Sequence, residues 1–466
     1  MSMDHAIKEP DFELPEISNK EMIDKIMYPV ETPITLKEKL LFLFFGIAML
    51  WGAWEFWQQT QRGLGVTGLN VPVYWGWYIV TFVFWIGVAH AGTLISGILR
   101  LSGAEWKSSV TRVSEVITLF TLPMAAAFPF IHVGRNGIVF FMLPYPNFRH
   151  LWPDFRSPLM WDFFAISTYT IGTLVFVYST LVPDLGILRT RVTGWKRTLY
   201  TILSWGWRGT QAEWKRAKEA AALCSVLILP VVFSVHTIVG MDFAMQKTPA
   251  WHETIFGPYF VIGALYAGVA SAIIAMALLR WTLPFKDIIQ TIHFDYMGRI
   301  FLCIDLAWNY MLFNDFMPHF YAHDTNVMNW FKDWLFGHFA PMFWIMFATN
   351  FIIPTCCLIF RGFRKSPLAM FFLACGVTLG MYIERVLIVV EGAETYNGLV
   401  RNVHMYFPSV TELSIIFATF CFVFAGIMAF IRIFPIIPIW EMLETKSRQK
   451  VHEVAGKKMV FFKWGE

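Results

Sequence analysis

Residues 73–100 read VYWGWYIVTFVFWIGVAHAGTLISGILR, and Arg100 is their only charged side chain. A helix rising about 1.5 Å per residue needs roughly 20 apolar residues to cross a hydrocarbon core about 30 Å thick. The stretch exceeds that length, and lipid offers its backbone no hydrogen-bond partner beyond the helix itself. It therefore reads as a membrane-spanning helix. Nine more runs of the same kind lie at 39–58, 112–131, 158–182, 218–242, 255–282, 288–316, 334–361, 366–391 and 407–433. The sequence thus predicts an all-α polytopic membrane protein of about ten transmembrane helices.

The composition agrees. Of 466 residues 56% are hydrophobic and 15% charged, with a mean hydropathy of +0.52, whereas soluble domains carry about 25% charge. An ordinary soluble enzyme is excluded. The formal net charge of +4 is too mild for a nucleic-acid surface unless the basic residues gather on one exposed face. They gather by membrane side instead, and no nucleic acid is expected. Of the 37 Lys and Arg, 28 fall on the side shared by both termini and the even-numbered connections. Seven fall on the other side (Arg62, Arg135, Arg149, Arg156, Lys247, Lys332 and Arg401), and Arg299 and Arg385 lie within helices. By the positive-inside rule both termini are cytoplasmic. The acidic start, with Asp4, Glu9, Asp11, Glu13 and Glu16, lacks a short apolar region after basic residues, so no secretory signal is expected there.

Three regions follow: a cytoplasmic N-terminal segment 1–38, the ten-helix domain 39–433 and a cytoplasmic tail 434–466. Two connections are long. Segment 183–217, with RTRVTGWKR and WRGTQAEWKRAKEA, reads as a cytoplasmic amphipathic segment, basic for anionic headgroups and Trp-rich for the interface. Segment 133–157, GRNGIVFFMLPYPNFRHLWPDFRSP, is an outer-face lid rich in Pro and aromatics, the type of long loop that more often closes or docks than links. A weak internal repeat joins the second helix (YWGWYIVTFVFWIGVAHAGT) to the sixth (GPYFVIGALYAGVASAI), both opening with aromatics and continuing into small residues. It predicts two four-helix bundles, helices two to five and six to nine, flanked by the first and tenth.

All six Cys lie in predicted helices without CxxC or CxxCH spacing, so neither an iron–sulphur cluster, a metal site nor haem c is expected in this chain. His90 and His236 are the only His well inside helices, but their expected depths differ, and haem b is not compelled.

Ionisable groups inside a membrane are costly and are functional candidates by default. The sharpest pair is His132 with Asp162. The third helix runs outward to PFIHVGR, the fourth runs inward from PLMWDFF, and the lid joins them. A hydroquinone surrenders two electrons and two protons, so its site needs two acceptors and a slot for a flat ring. An imidazole and a buried carboxylate are such acceptors, and Phe128, Phe130 and Trp161 are the candidate walls, with Arg135 beside them. The competing reading is a structural pair of Asp162 with Arg135 or His132. Lower in rank, His90 and Glu115 form a candidate inward proton relay; alternatively His90 bonds a backbone carbonyl and Glu115 pairs with Arg112. Asp305, Glu384 and Arg385 lie near mid-membrane, and Asp242, Asp315 and Glu391 near the outside, as a conductive or a structural set.

The runs GWYIVTFVFWIGVAHAGTLISGILRL, EVITLFTLPMAAAFPFIHVGRNG and PYPNFRHLWPDFRSPLMWDFFAISTY resemble the NrfD/PsrC family of polysulphide-reductase-type membrane subunits. They are most similar to the large ten-helix ActC-type NrfD-like subunits of bacterial alternative complex III. The resemblance covers about residues 39–433; the acidic N-terminal extension and extra first helix depart from the shorter family members. It implies a subunit of the bacterial inner membrane, inactive alone, that oxidises menaquinol or another quinol near the periplasmic face. His132 and Asp162 become quinol ligands, with Phe128, Phe130, Arg135 and Trp161 around them. The implied partners are an iron–sulphur subunit docked on the lid, a multihaem cytochrome c, other membrane subunits including a second NrfD-like protein, a terminal oxidase and lipid. The resemblance further implies proton translocation, with His90, Glu115, Asp305 and Glu384 the positions to test. Three alternatives stay open: the quinone-reducing or anchoring subunit of another NrfD-type molybdenum or iron–sulphur oxidoreductase, a passive scaffold, and a secondary transporter, for which Pro123, Pro129 and Pro230 are possible helix breaks.

Overall fold

The computed structural model describes residues 17–142, 150–152, 154–248, 250–323, 325–394, 405–454 and 457–462. Residues 143–149 and 153 of the lid, with Arg149, lie outside the described residues, as do Arg401 and parts of both terminal segments. The helices run α1 Asn19–Glu31, α2 Leu36–Arg62, α3 Trp77–Leu101, α4 Thr111–His132, α5 Pro158–Leu188, α6 Gly194–Leu203, α7 Gln211–Ala244, α8 Phe256–Thr282, α9 Thr291–Ala322 and α10 Thr325–Phe336. They continue as α11 Ala340–Phe347, α12 Ile353–Leu358, α13 Arg361–Arg364, α14 Pro367–Val386, α15 Gly392–Glu394, α16 Val410–Ile433 and α17 Ile439–Arg448. One wide π-helical turn, Ala348–Ile352, joins α11 to α12, and another, Leu387–Glu391, joins α14 to α15.

Among the described residues nine helices are long and apolar enough to cross a bilayer. The remaining predicted span, 288–316, corresponds to α9, whose 32 residues include Asp295, Arg299, Asp305 and Asp315. Those charges lower its hydropathy without shortening it. The only strands among the described residues form an antiparallel hairpin in the C-terminal tail, β1 Gln449–Val454 with β2 Lys457–Phe462.

The helices pack as two rings. In the first, α3 meets α4, α4 meets α5, α5 meets α7 and α7 returns to α3; in the second, α8 meets α9 and α14, and the α11–α12 rod closes against both. The rings join where α3 and α7 pack on α8, while α2 and α16 form a pair against the outside of the first. A helix apolar on every side belongs in the interior: 94% of the apolar window of α3 is buried, against 6% for α2, whose Leu40, Phe44, Ile47 and Trp51 face lipid. The two four-helix bundles with flanking first and tenth helices are thus present.

The described parts of the two terminal segments meet on one side, called inner here. Lys446 Nζ on the tail donates to the Ile17 carbonyl, and Arg432 bonds the Pro29 carbonyl and pairs with Glu38. Two expected boundaries move. Helix α5 extends to Leu188 and α7 starts at Gln211, leaving only α6 as the amphipathic piece of 183–217. Trp195 and Trp205 are exposed, as an interfacial segment requires, while Lys196 donates to the carbonyls of Val30 (2.5 Å) and Arg432 (2.9 Å). Burial, with the nearby Arg432 guanidinium, lowers the Lys196 ammonium below its ordinary value. The second change is at the tail. Residues 435–443 do not trail into solvent: Ile436, Ile437, Ile439 and Met442 are buried, and α17 packs against α5.

Candidate functional site at the outer end of the first bundle

The turn that ends α4 is fixed from three directions. Gln59 of α2, fully buried, donates to the Ile131 carbonyl (2.7 Å) and accepts from the Tyr78 hydroxyl of α3 (2.6 Å). Phe128 is completely buried with its ring 6.2 Å from that of Tyr78. Past His132 the chain must reverse, and Gly134 does so in the left-handed region (φ +65°), where a Cβ would also lie 2.5 Å from Leu64. That accounts for the glycine of HVGR. Asn136 then ties the lid to Thr60 of α2 (3.3 Å). Across the bundle, Trp161 Nε1 donates to the Phe155 carbonyl (2.8 Å), setting the first turn of α5.

His132 and Asp162 therefore sit at the outer ends of adjacent helices, as their positions predict, but no hydrogen bond or ion pair joins them among the described residues. His132 Nδ1 is buried without a partner. Asp162, also buried, lies close to Asp242 in the last turn of α7, and Oδ1 of each carboxyl has no hydrogen-bond partner. Arg135 makes no ion pair among the described residues, so the structural pairing of Asp162 with Arg135 or His132 is not formed. Phe130 is a correction. Two helical residues from Phe128 it points the opposite way, is 43% exposed and faces outward, while Phe128 and His132 share the inward face. Asp242 was one of several outer acids in the sequence; only the packing of α5 on α7 singles it out.

The bundle interior holds a second constellation. His90 Nδ1 bonds the Ile86 carbonyl, as one sequence alternative had it, and Nε2 has no partner. Tyr169 of α5 stacks on the His90 ring at 4.7 Å and donates to the Ala89 carbonyl (2.8 Å). His236 meets His90 edge to face at 4.7 Å, with both of its nitrogens unpartnered. The expected difference in depth is thus wrong: α7 packs on α3 so that the two rings meet. On the other side of Phe260 lies Arg385, 4.7 Å above that ring and 2.7 Å from Glu384, with Gly263 vacating the space the guanidinium fills.

Asp305 and Glu115 sit apart from this group. Asp305 accepts from Tyr266 (2.8 Å), Thr355 (2.6 Å) and Asn309 (3.2 Å), and Tyr266 also reaches the Asn350 carbonyl (3.1 Å) in the first π turn. It does not join Glu384 and Arg385 in one cluster. Glu115 pairs with Arg100 (2.9 Å) and Ser96 (2.5 Å), not with Arg112. Arg100 in turn holds Glu441 of α17 (2.5 Å), and Arg112 pairs with Asp184, whose carboxylate also caps the backbone N–H of Ile439 and Trp440. Arg100, Asp184 and Glu441 were missed because they flank predicted spans; the signal was PIIPIWEML, too apolar for a solvated tail. Among the described residues no three His, Cys, Asp or Glu converge as a metal ion would require.

The family model for NrfD, polysulphide reductase, matches residues 65–397, most of the chain. A Halobacterium salinarum protein provisionally named as a dimethyl sulfoxide reductase membrane subunit is 23% identical over 348 residues, 74% of this chain and 75% of the relative. A selenate reductase subunit of Mesobacillus selenatarsenatis is 19% identical over 438 residues, 90% of this chain and 97% of the relative. With two bundles built from the matched residues and the HVGR turn at their outer end, the chain belongs to the NrfD family of polysulphide-reductase-type membrane subunits.

Proposed function

We propose that this chain is the quinol-binding membrane subunit of a respiratory oxidoreductase in a bacterial inner membrane, with both termini cytoplasmic, and that it contributes no redox centre of its own. The observation that carries this reading is the pair of unpartnered buried acceptors, His132 Nδ1 and Asp162 Oδ1, at the outer ends of adjacent helices. Unsatisfied buried polar atoms are uncommon in native proteins and call for an occupant. A quinol supplies two hydroxyls for them and a flat ring for the space beside Phe128 and Trp161. One hydroxyl donates to Asp162 and the other to His132, each of which takes a proton as the electrons leave. The electrons pass to an iron–sulphur subunit docked on the lid.

In its finer form the reading is alternative complex III: menaquinol as the substrate, multihaem cytochrome c and a second NrfD-like chain as partners, and proton translocation through the bundles. The His90–His236 contact, continuing past Phe260 to Arg385 and Glu384, supports a proton path through the junction of the bundles. Asp305 and Glu115, both held by fixed donors, fit a structural part better. A second reading is favoured by the names of the relatives, both reductase subunits: the same site would then feed electrons from quinol to a molybdenum-containing reductase. Which metals co-purify with the chain decides between the two.

The test of the site is Asp162→Asn in the assembled complex. Quinol oxidation is expected to be abolished with assembly intact; near-normal turnover would show that the quinol binds elsewhere.

A further inference from the structure

Helix α2 hides little of itself in the protein: of its 27 residues only Gly52 and Gln59 are fully buried. Packing explains Gly52, where a Cβ would lie 2.3 Å from Ala418 of α16. It does not explain Gln59. A residue that served only to pack would be apolar, because a buried amide is costly unless its ends are hydrogen-bonded. Here both ends are used, with Nε2 donating to the Ile131 carbonyl of α4 (2.7 Å) and Oε1 accepting from the Tyr78 hydroxyl of α3 (2.6 Å). One side chain of α2 therefore ties two helices of the first bundle together at their outer ends.

What Gln59 holds is the peptide unit in front of His132. The Ile131 carbonyl and the His132 nitrogen belong to one rigid plane, so anchoring that oxygen restricts the direction in which the His132 side chain leaves the helix. The turn needs the anchor. Pro129 has no N–H for the Ala125 carbonyl, and the N–H of Arg135, which would continue the helix to Ile131, bonds the Val133 carbonyl instead (2.7 Å). The hold also continues beyond His132: Asn136 bonds Thr60, the next residue of α2 (3.3 Å), and Gly134 lies against Leu64 just past the end of α2. His132 Nδ1 itself has no hydrogen bond to orient the ring. Its aim is left to the backbone. We infer that Gln59 is a positioning residue of the quinol site: its amide, braced by Tyr78, holds the Ile131–His132 peptide so that the imidazole meets a quinol hydroxyl. The inference rests on the reading of His132 as a quinol ligand. Misplacing a reacting group by about 1 Å costs on the order of a hundredfold in rate, so a residue that never touches the quinol can control its turnover.

The experiment is turnover of a short-chain menaquinol analogue by the assembled complex, with kcat and KM measured separately and normalised to assembled protein. Gln59→Leu keeps the bulk and removes both hydrogen bonds. It is expected to lower kcat tenfold or more and to change KM less than threefold, since Asp162 and the ring walls stay in place. Added to His132→Ala, the same substitution is expected to cost less than a further twofold, because its effect runs through the imidazole. An equal loss of kcat in both backgrounds, a raised KM with kcat retained, or wild-type kinetics in Gln59→Leu would overturn the inference. Gln59→Glu decides the matter if Gln59→Leu does not assemble. It keeps the shape and the acceptor for Tyr78, but the introduced carboxyl can donate to the Ile131 carbonyl only when protonated. Its turnover relative to wild type is therefore expected to rise threefold or more as the pH is lowered from about 8 to about 6, and a ratio that stays constant would overturn the inference. His132→Ala alone separates the two claims. If it turns over normally, the reading of His132 as a quinol ligand is wrong and the inference falls with it; if it is strongly impaired while Gln59→Leu is silent, only the role of Gln59 is lost.

Discussion

The two ends of the first bundle are built from the same helices and the same residue types, yet they treat charge in opposite ways. At the inner end the buried charges meet opposites: Arg112 with Asp184, and Arg100 between Glu115 and Glu441, with the backbone of α17 completing the Asp184 carboxylate. At the outer end Asp162 and Asp242 lie buried close together with Oδ1 of each unpartnered, His132 Nδ1 has no partner among the described residues, and Arg135 is exposed. Burying charge costs several kcal/mol per ion unless it is paired, of order 3–5 kcal/mol when one partner of a buried pair is removed. The inner end therefore has the form of a staple that closes the bundle with the tail. The outer end buries polar atoms without such pairing, which supports the proposal that a substrate completes their hydrogen bonds.

Substitutions can break this contrast. The largest effect on chemistry is expected from Asp162→Asn: a hundredfold or greater fall in quinol turnover, the scale of a lost acid–base group, with thermal unfolding of the complex unchanged. The largest effect on stability is expected at the other end. Arg112→Met leaves the Asp184 carboxylate buried and unpaired and should cost about 3–5 kcal/mol, seen as a lowered unfolding temperature, with turnover per assembled complex retained. Removing both partners, as Arg112→Met with Asp184→Leu, should recover much of that loss; no recovery would mean that Asp184 matters chiefly as the cap of α17.

Smaller effects sharpen the comparison further. Glu441→Leu removes one of two carboxylates from Arg100 and should cost about 1.5–3 kcal/mol, the worth of a hydrogen bond to a charged group, because Glu115 remains. A loss as large as that of Arg112→Met would show that α17, not Glu115, holds Arg100. Smallest of all, Phe130→Ala should stay within about 0.5 kcal/mol and leave turnover unchanged, as expected for an outward-facing side chain. A raised KM would return Phe130 to the pocket wall.

Much of this architecture is legible in the sequence. Ten apolar runs follow from helix length and lipid, and the two bundles from the weak repeat of the second helix in the sixth. His132 and Asp162 are legible because HVGR and PLMWD stand at the ends of consecutive spans. What stays hidden depends on packing between distant segments. The contact of His90 with His236 depends on how α7 packs on α3, which hydropathy does not encode. Asp242 looks like any outer acid until α5 and α7 meet, and Glu441 like part of a solvated tail until Ile436, Ile437 and Ile439 are seen buried. Phe130 fails for a simpler reason: proximity in sequence was read as proximity to the site, although two helical residues put a side chain on the far face.

The central claim is that a quinol occupies the outer end of the first bundle, and photolabelling of the intact complex by an azidoquinone tests it most directly. The account predicts that adducts concentrate on residues 128–132 and 155–162 and disappear when unlabelled quinol is in excess. Adducts confined to the second bundle, or spread over the lipid-facing side of α2 and insensitive to competitor, would contradict it.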